Sequence, residues 1–145
     1  LMVGLYKAGR FGVKSGAGFF DYANRGDDES CPVDLFTLRK IAEWARTPQR
    51  LDDKQLRDRL FLPMVAEAIR LLEEGRVSSP TEIDTAVVLG LGFPARRGGL
   101  LRWADTIGTA AVVERLGRLE TLGPRMEPPE MLRRMAKENR PFHAP

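Results

Sequence analysis

Glycine and arginine are concentrated in residues 90–105, GLGFPARRGGLLRWAD, which contain four glycines and three arginines. A glycine-rich loop binds phosphate when it follows a strand and opens a helix, and clustered arginines bind nucleic-acid backbones. The spacing here matches neither a Walker loop nor a dinucleotide-binding loop. Gly90 and Gly92 follow a helical pattern and run into Pro94, so we interpret the segment as a tight turn between two helices.

The segment SGAGFF (15–20) is the second glycine-rich candidate. It contains Gly16 and Gly18, but no third glycine follows at the dinucleotide spacing and no predicted strand precedes it. These glycines and Gly12 interrupt any helix, and the aromatic residues that follow favour a short extended segment. We therefore predict no cofactor-binding residue in either glycine-rich segment.

One cysteine, Cys31, and one histidine, His143, limit the chemistry that these residue types could support. A zinc site needs more cysteine or histidine ligands than this. A Ser–His–acid or Cys–His arrangement would depend on a base two residues from the last residue of the chain, where chain ends usually fray. We predict that His143 is solvent-exposed, that the chain has no catalytic residue and that it has no metal ligand.

The charge distribution does not favour a nucleic-acid partner. The chain has 23 basic and 20 acidic residues and a formal net charge of +3. Arg57, Arg59 and Arg70 are interleaved with acidic residues, which is typical of a solvated helix surface. No apolar run has the length of a membrane span, and the single cysteine is typical of a reducing compartment. We predict a cytoplasmic protein with no nucleic-acid partner and no membrane span.

Apolar residues recur at helical spacing along most of the chain, which predicts a mainly α multi-helix bundle. Pro63 lies inside the longest predicted helix and is expected to kink or divide it, because proline removes a backbone donor and clashes with the preceding turn. The predicted helices cover 33–46, 52–74, 80–90, 100–107, 109–122 and 129–139, after a helix end at 1–9.

Capping and turn residues are predicted around residues 79–105. Ser79 is the expected N-cap of a helix, with Pro80 at its first position and Glu82 completing a capping box. Asp84 and Asp105 are expected to bond nearby backbone turns, with catalysis as the alternative role, and Asp105 would fix the start of the turn that follows it. The connection between the two helices is assigned to Gly90, Gly92, Pro94, Gly98 and Gly99.

Three segments, taken in order, resemble the C-terminal helical domain of the 3-hydroxyacyl-CoA dehydrogenases: EAIRLLEEG (67–75), EIDTAVVLGLGFP (82–94) and RGGLLRWAD (97–105). GRFGVKSGAGFFDY (9–22) is similar to the segment that closes such a domain. The GFP and RGG pattern of the turn resembles the second of two helical copies in the multifunctional fatty-acid-oxidation α subunits.

The resemblance implies three regions: the tail of a preceding helical repeat (1–24), a linker with a short helix (25–50) and the helical domain itself (51–145). MVGLYKAGRFG (2–12) loosely repeats the pattern of MLRRMAKENRPF (131–142), as tandem copies would. The apolar opening at Leu1 favours a segment of a longer polypeptide over a start at Met2.

The resemblance also implies a function for the whole enzyme, the oxidation of 3-hydroxyacyl-CoA to 3-oxoacyl-CoA with NAD in fatty-acid β-oxidation. NAD and the catalytic dyad would belong to a Rossmann domain outside this chain, so the chain alone would bind no cofactor and would be inactive. It would pack against the first helical copy and close the acyl-CoA cleft. A thiolase subunit is a further implied partner.

Two positions depart from the family pattern. Asp58–Arg59 stands where the family has an asparagine–arginine pair, so the substrate-facing role of that asparagine is not carried over. Ala95 and Arg96 stand where the family turn has a second proline and an aromatic residue. The alternative interpretation is a stand-alone helical interaction module that keeps the packing without the chemistry.

Overall fold

The computed structural model describes residues 1–26, 30–45 and 50–143. These ranges contain seven α-helices, and their strand pairing is limited to isolated bridges within residues 12–33. The predicted mainly α class is therefore confirmed. The chain divides into two compact units, Leu1–Arg50 and Leu51–Pro145.

The unit Leu1–Arg50 contains helices α1 (Met2–Lys7) and α2 (Leu35–Trp44). The glycine-rich segment that follows α1 has positive φ at Gly9, Gly12 and Gly16, which glycine adopts readily because it has no Cβ atom. The buried hydroxyl of Thr37 donates to the carbonyl oxygen of Gly18 at 2.6 Å, which holds this segment against α2.

Asp34 is the N-cap of α2 and a buried carboxylate. Its Oδ1 accepts from the backbone N–H of Thr37 at 2.9 Å, and its Oδ2 pairs with the guanidinium of Arg10. Burial by itself raises the pKa of Asp34. The hydrogen bonds from Thr37 and the charge of Arg10 outweigh that effect together, and the pKa lies below its ordinary value of about 3.8.

The lowered pKa of Asp34 predicts that acid weakens this unit. The stabilising contribution of the ionised Asp34 is fully present above a pH of about 3.8. It is lost as the pH falls through the lower pKa that Asp34 has in the folded state. We expect the protection factor of the Thr37 amide, which corrects for the intrinsic pH dependence of exchange, to fall below about pH 4, and Asp34→Asn to flatten this dependence. Glu43→Gln, which changes the exposed pair with Lys40, should leave it unaltered. An unchanged profile in Asp34→Asn would contradict the assignment.

The unit Leu51–Pro145 contains the other five helices: α3 (Asp53–Glu73), α4 (Pro80–Leu91), α5 (Leu100–Ile107), α6 (Thr109–Gly117) and α7 (Glu130–Lys137). Each helix supplies buried apolar side chains to one core, because its apolar residues repeat at the helical period. The core includes Leu62, Val65, Ile69, Ile83, Leu100, Leu101, Val112, Leu116 and Leu132.

Helix α3 passes through Pro63 as one element, so of the two predicted outcomes, a kink or a division, the division does not occur. Proline inside a helix removes one hydrogen bond and crowds the carbonyl one turn earlier. The residues beside it, Leu62, Val65 and Ala66, are fully buried, and this packing outweighs the local cost. The start of α3 is secured by a reciprocal capping box between Asp52 and Gln55.

Helix α6 is shorter than the predicted 109–122. It ends at Gly117, and two short 3-10 turns follow, at Glu120–Leu122 and Pro124–Met126. The guanidinium of Arg70 on α3 holds this connection by donating to the carbonyl oxygen of Glu127 at 2.9 Å. The tertiary contact thus favours a tight turn over continued helix.

None of the helices in residues 1–26, 30–45 and 50–143 has the length and apolar character that crossing a membrane requires.

Candidate functional site

The start of α4 has the predicted cap, with one difference. Ser79 Oγ accepts from the backbone N–H of Glu82 at 3.2 Å, and Pro80 is the first helical residue. The side chain of Glu82 accepts from the N–H of Ser78 at 2.8 Å, whereas a capping box would use the N–H of Ser79. Both bonds still satisfy free amides at the helix start.

The turn between α4 and α5 uses fewer of the glycines than the sequence analysis assigned to it. Gly90 lies inside the last turn of α4, with nothing within 4 Å of an added Cβ. Helix α4 ends at Gly92, which has a φ of 68°. Pro94 precedes a 3-10 turn, and Gly98 and Gly99 complete the reversal with φ values of 74° and 119°. The left-handed conformation is therefore needed at Gly92, Gly98 and Gly99.

Asp84 caps α5 from a neighbouring helix. Its side chain is buried, and its two oxygens accept from the backbone N–H groups of Leu101 at 2.7 Å and Arg102 at 3.0 Å. The N-cap residue of α5 is Gly99, which has no side chain to do this. A Cβ at Gly99 would lie 2.3 Å from Asp84 Cβ and Cγ. Glycine at position 99 therefore leaves space for the carboxylate of Asp84, which caps α5 in place of an N-cap side chain.

His143 joins Asp84 and Asp105, and we call these three residues the Asp–His–Asp cluster. The side chain of His143 is 9% exposed, with Nε2 3.1 Å from Asp84 Oδ2 and Nδ1 2.9 Å from Asp105 Oδ2. Asp105 also accepts from the backbone N–H groups of Phe142 and His143 at 2.8 and 3.1 Å. The predicted solvent exposure of His143 is wrong, because these bonds hold residues 142 and 143 in place.

The Asp–His–Asp cluster connects α4, α5 and the segment after α7. Nε2 of His143 faces Asp84 and Nδ1 faces Asp105, so both ring nitrogens are directed at carboxyl oxygens of the same unit. Asp105 bonds residues 142 and 143, whereas the sequence analysis placed its partner in the turn that follows Asp105. The structure brings Asp84, Asp105 and Gly99 to this one place.

Removal of the His143 side chain should release the end of the chain. We expect His143→Ala to lower the free energy of unfolding of this unit by about 1–2 kcal/mol, because Asp84 and Asp105 each lose a hydrogen-bond partner at a nearly buried position. Denaturant titration of the variant, followed by Trp103 fluorescence in a Trp44→Phe background, measures this. Arg140→Ala, which alters an exposed pair with Glu138, is the control. Equal losses in both variants would contradict a specific role for His143.

A second feature of this unit is a cavity of about 440 Å³, which we call the arginine cavity. Three rings contribute to its wall, with centroids 5.9 Å apart for Phe61 and Phe93 and 5.7 Å apart for Phe61 and Trp103. Its charged lining consists of Lys54, Arg57, Asp58, Arg96, Arg97 and Arg115. Sequence reasoning missed this cavity, because α3, the turn and α6 supply its cations separately. The only available signal was the Arg96–Arg97 pair.

Metal ligands and a dinucleotide-binding loop are the two kinds of site that the described residues can be tested for. In the part of the chain that the structure describes, no group of three or more histidine, cysteine, aspartate or glutamate side chains could hold a metal ion. The two glycine-rich segments follow helix α1 and helix α4, and a dinucleotide loop needs a preceding strand. Neither segment therefore has the setting of a dinucleotide-binding loop.

The family described as "3-hydroxyacyl-CoA dehydrogenase, C-terminal domain" matches residues 56–143. This is more than half of the chain, and the chain belongs to this family of oxidoreductases. The matched residues lie in the unit Leu51–Pro145 and include α3 from Leu56 onward, the turn and the Asp–His–Asp cluster. The resemblance found in the sequence is confirmed.

A crystal structure of FadB2 from M. tuberculosis is similar to this chain, with a TM-score of 0.53 and 28% sequence identity. The match covers 59% of this chain and 32% of FadB2. The chain thus spans about a third of the length of this relative.

Proposed function

We propose that this chain is the C-terminal helical part of an NAD-dependent 3-hydroxyacyl-CoA dehydrogenase of fatty-acid β-oxidation, and that its role there is structural. The observation that carries the proposal is the family match over residues 56–143, which falls within one compact unit. The whole enzyme, in the cytoplasm, would convert 3-hydroxyacyl-CoA into 3-oxoacyl-CoA and pass a hydride to NAD. NAD would be bound by a Rossmann domain outside this chain.

The geometry of the Asp–His–Asp cluster supports a structural role. A general base needs a nitrogen that can reach the substrate proton, but both ring nitrogens of His143 face carboxylates. Asp58, at the position of the substrate-facing asparagine of the family, is 3.4 Å from the guanidinium of Arg115. Its carboxylate is occupied within the chain, in agreement with a lost substrate contact.

Exposed leucines support packing against another helical domain. Leu60 on α3 is 64% exposed, and Leu89 and Leu91 on α4 are 81% and 68% exposed. Apolar surface of this kind is typical of a domain interface. We assign these helices to the contact with a first helical copy and the Rossmann domain, where the unit would close the acyl-CoA cleft. A thiolase subunit is a further proposed partner.

The order of the two units supports the assignment to a second copy. The unit Leu1–Arg50 carries GRFGVKSGAGFFDY and forms its own hydrogen-bonded contacts, such as that between Thr37 and Gly18. In the proposed enzyme, residues 1–24 would complete the first helical copy and the unit Leu51–Pro145 would be the second.

Purification of the native protein with an antibody against this chain tests the proposal. We expect a polypeptide well above 16.2 kDa that reduces NAD when 3-hydroxybutyryl-CoA is added, and no turnover by the isolated 145-residue chain. A native polypeptide of about this mass without dehydrogenase activity would contradict the proposal and favour the stand-alone interaction module. Turnover by the isolated chain would contradict the structural role.

A further inference from the structure

The arginine cavity carries more positive charge than its own carboxylate can neutralise. Its lining holds five cationic side chains and one carboxylate, Asp58, which lies beside Arg115. Arg57 Nε donates to the backbone carbonyl of Asp53 at 3.2 Å. Because this acceptor is neutral, the bond does not compensate the charge of Arg57. Lys54, Arg96 and Arg97 form no ion pair within residues 1–26, 30–45 and 50–143. Such a cluster favours an anion with several negative charges.

The turn between α4 and α5 presents two of these cations from a rigid backbone. Arg96 and Arg97 lie in the 3-10 turn Ala95–Arg97, between Pro94 and Gly98. The N–H of Gly98 donates to the carbonyl of Ala95 at 2.9 Å, which closes the turn. Neighbouring guanidinium groups bind phosphate with paired hydrogen bonds. The turn is therefore suited to a phosphate group.

Aromatic side chains line the same cavity. Phe61, Phe93 and Trp103 pack edge to face or tilted, with centroid distances of 5.7–6.5 Å. Phe93 is nearly buried, while Phe61 and Trp103 are partly exposed and able to contact a ligand. Nucleobases stack on aromatic side chains of this kind. A volume of about 440 Å³ lies within the usual range of small-molecule sites.

We propose that the arginine cavity binds a nucleotide that carries a phosphate monoester, with its phosphates at Arg96 and Arg97 and its base against Phe61 and Trp103. Two sources share this chemistry, a free nucleotide such as ADP and the 3′-phosphorylated adenosine of coenzyme A, the second of which rests on the proposed function. The cavity is built entirely from the unit Leu51–Pro145. Binding therefore depends only on this chain and is separable from dehydrogenase activity.

Calorimetric titration of the 145-residue chain tests the proposal with five probes. Adenosine 3′,5′-bisphosphate and ADP should each bind at least about tenfold more tightly than adenosine or pyrophosphate, because only they combine a base with a terminal phosphate monoester. NAD, whose phosphates are bridged and carry no monoester, should bind about as weakly as adenosine. Tighter binding of the bisphosphate would identify coenzyme A as the source, and tighter binding of ADP would identify a free nucleotide; either supports the proposal.

Charge-matched variants locate the site. Arg96→Ala/Arg97→Ala should weaken binding of the preferred nucleotide by about tenfold or more. Arg134→Ala/Lys137→Ala removes the same charge from exposed positions on α7 that do not line the cavity, and should leave the affinity within about twofold. The four positions are exposed, so circular dichroism should show that both variants keep the fold.

Trp103 reports the contact with the base. In a Trp44→Phe background, the preferred nucleotide should change the Trp103 emission with the same dissociation constant as the calorimetry. Three results would each overturn the proposal: no saturable binding of either nucleotide, pyrophosphate binding as tightly as the nucleotides, or equal weakening in the two double variants.

Discussion

Replacement of Gly99 by alanine should lower the free energy of unfolding of the unit Leu51–Pro145 by about 3 kcal/mol or more. The added Cβ would lie 2.3 Å from the Cβ and Cγ atoms of Asp84, and the φ of 119° is strained for any side chain. Asp84 cannot retreat without breaking its bonds to Leu101 and Arg102. The clash therefore either strains the backbone or breaks the hydrogen bonds with which Asp84 caps α5.

Gly90→Ala is the matched control for this substitution. Gly90 lies within α4, and an added Cβ meets nothing within 4 Å, so alanine should stabilise the helix by about 0.5–1 kcal/mol. Denaturant titration followed by Trp103 fluorescence, in a Trp44→Phe background, measures both variants. Effects of the same sign and size would show that the close approach of Asp84 to Gly99 does not control stability.

Asp84→Ala should lower the free energy of unfolding of the unit Leu51–Pro145 by about 3–5 kcal/mol, the range found when one partner of a buried charged network is removed. The substitution leaves two backbone N–H groups at the start of α5 without an acceptor, and it leaves His143 with Asp105 alone. Most of the loss comes from desolvated donors that gain no new partner.

Two further variants make this prediction specific. Asp84→Asn should lose less stability than Asp84→Ala, since its amide oxygen can still accept from the N–H of Leu101. Its amide nitrogen cannot accept from the N–H of Arg102, so some loss should remain. Asp52→Ala removes an exposed N-cap aspartate from α3 and should cost only about 1 kcal/mol. Denaturant titration measures both variants. Equal losses of stability in Asp84→Ala and Asp52→Ala would show that Asp84 contributes no more than an exposed N-cap residue.

Local patterns were sufficient to predict the helices and several of their ends. α5 was predicted at 100–107 and occupies Leu100–Ile107, because Gly99 and Gly108 bound a short apolar repeat. Ser79 and Pro80 open α4 as predicted from the preferences of helix starts. The prediction failed at the end of α6, which contacts with α3 help to define. Local pattern also left open whether Pro63 would kink or divide α3, and the structure shows one continuous helix there.

The sequence by itself determined the mainly α class, the glycine turn and the family, because each depends on residues close together in the chain. Only the tertiary structure decided that His143 is held between Asp84 and Asp105, which precede it by 59 and 38 residues. It also decided that cations from α3, the turn and α6 line one cavity. Contacts of this kind depend on how helices pack in three dimensions, and residue spacing along one chain does not specify them.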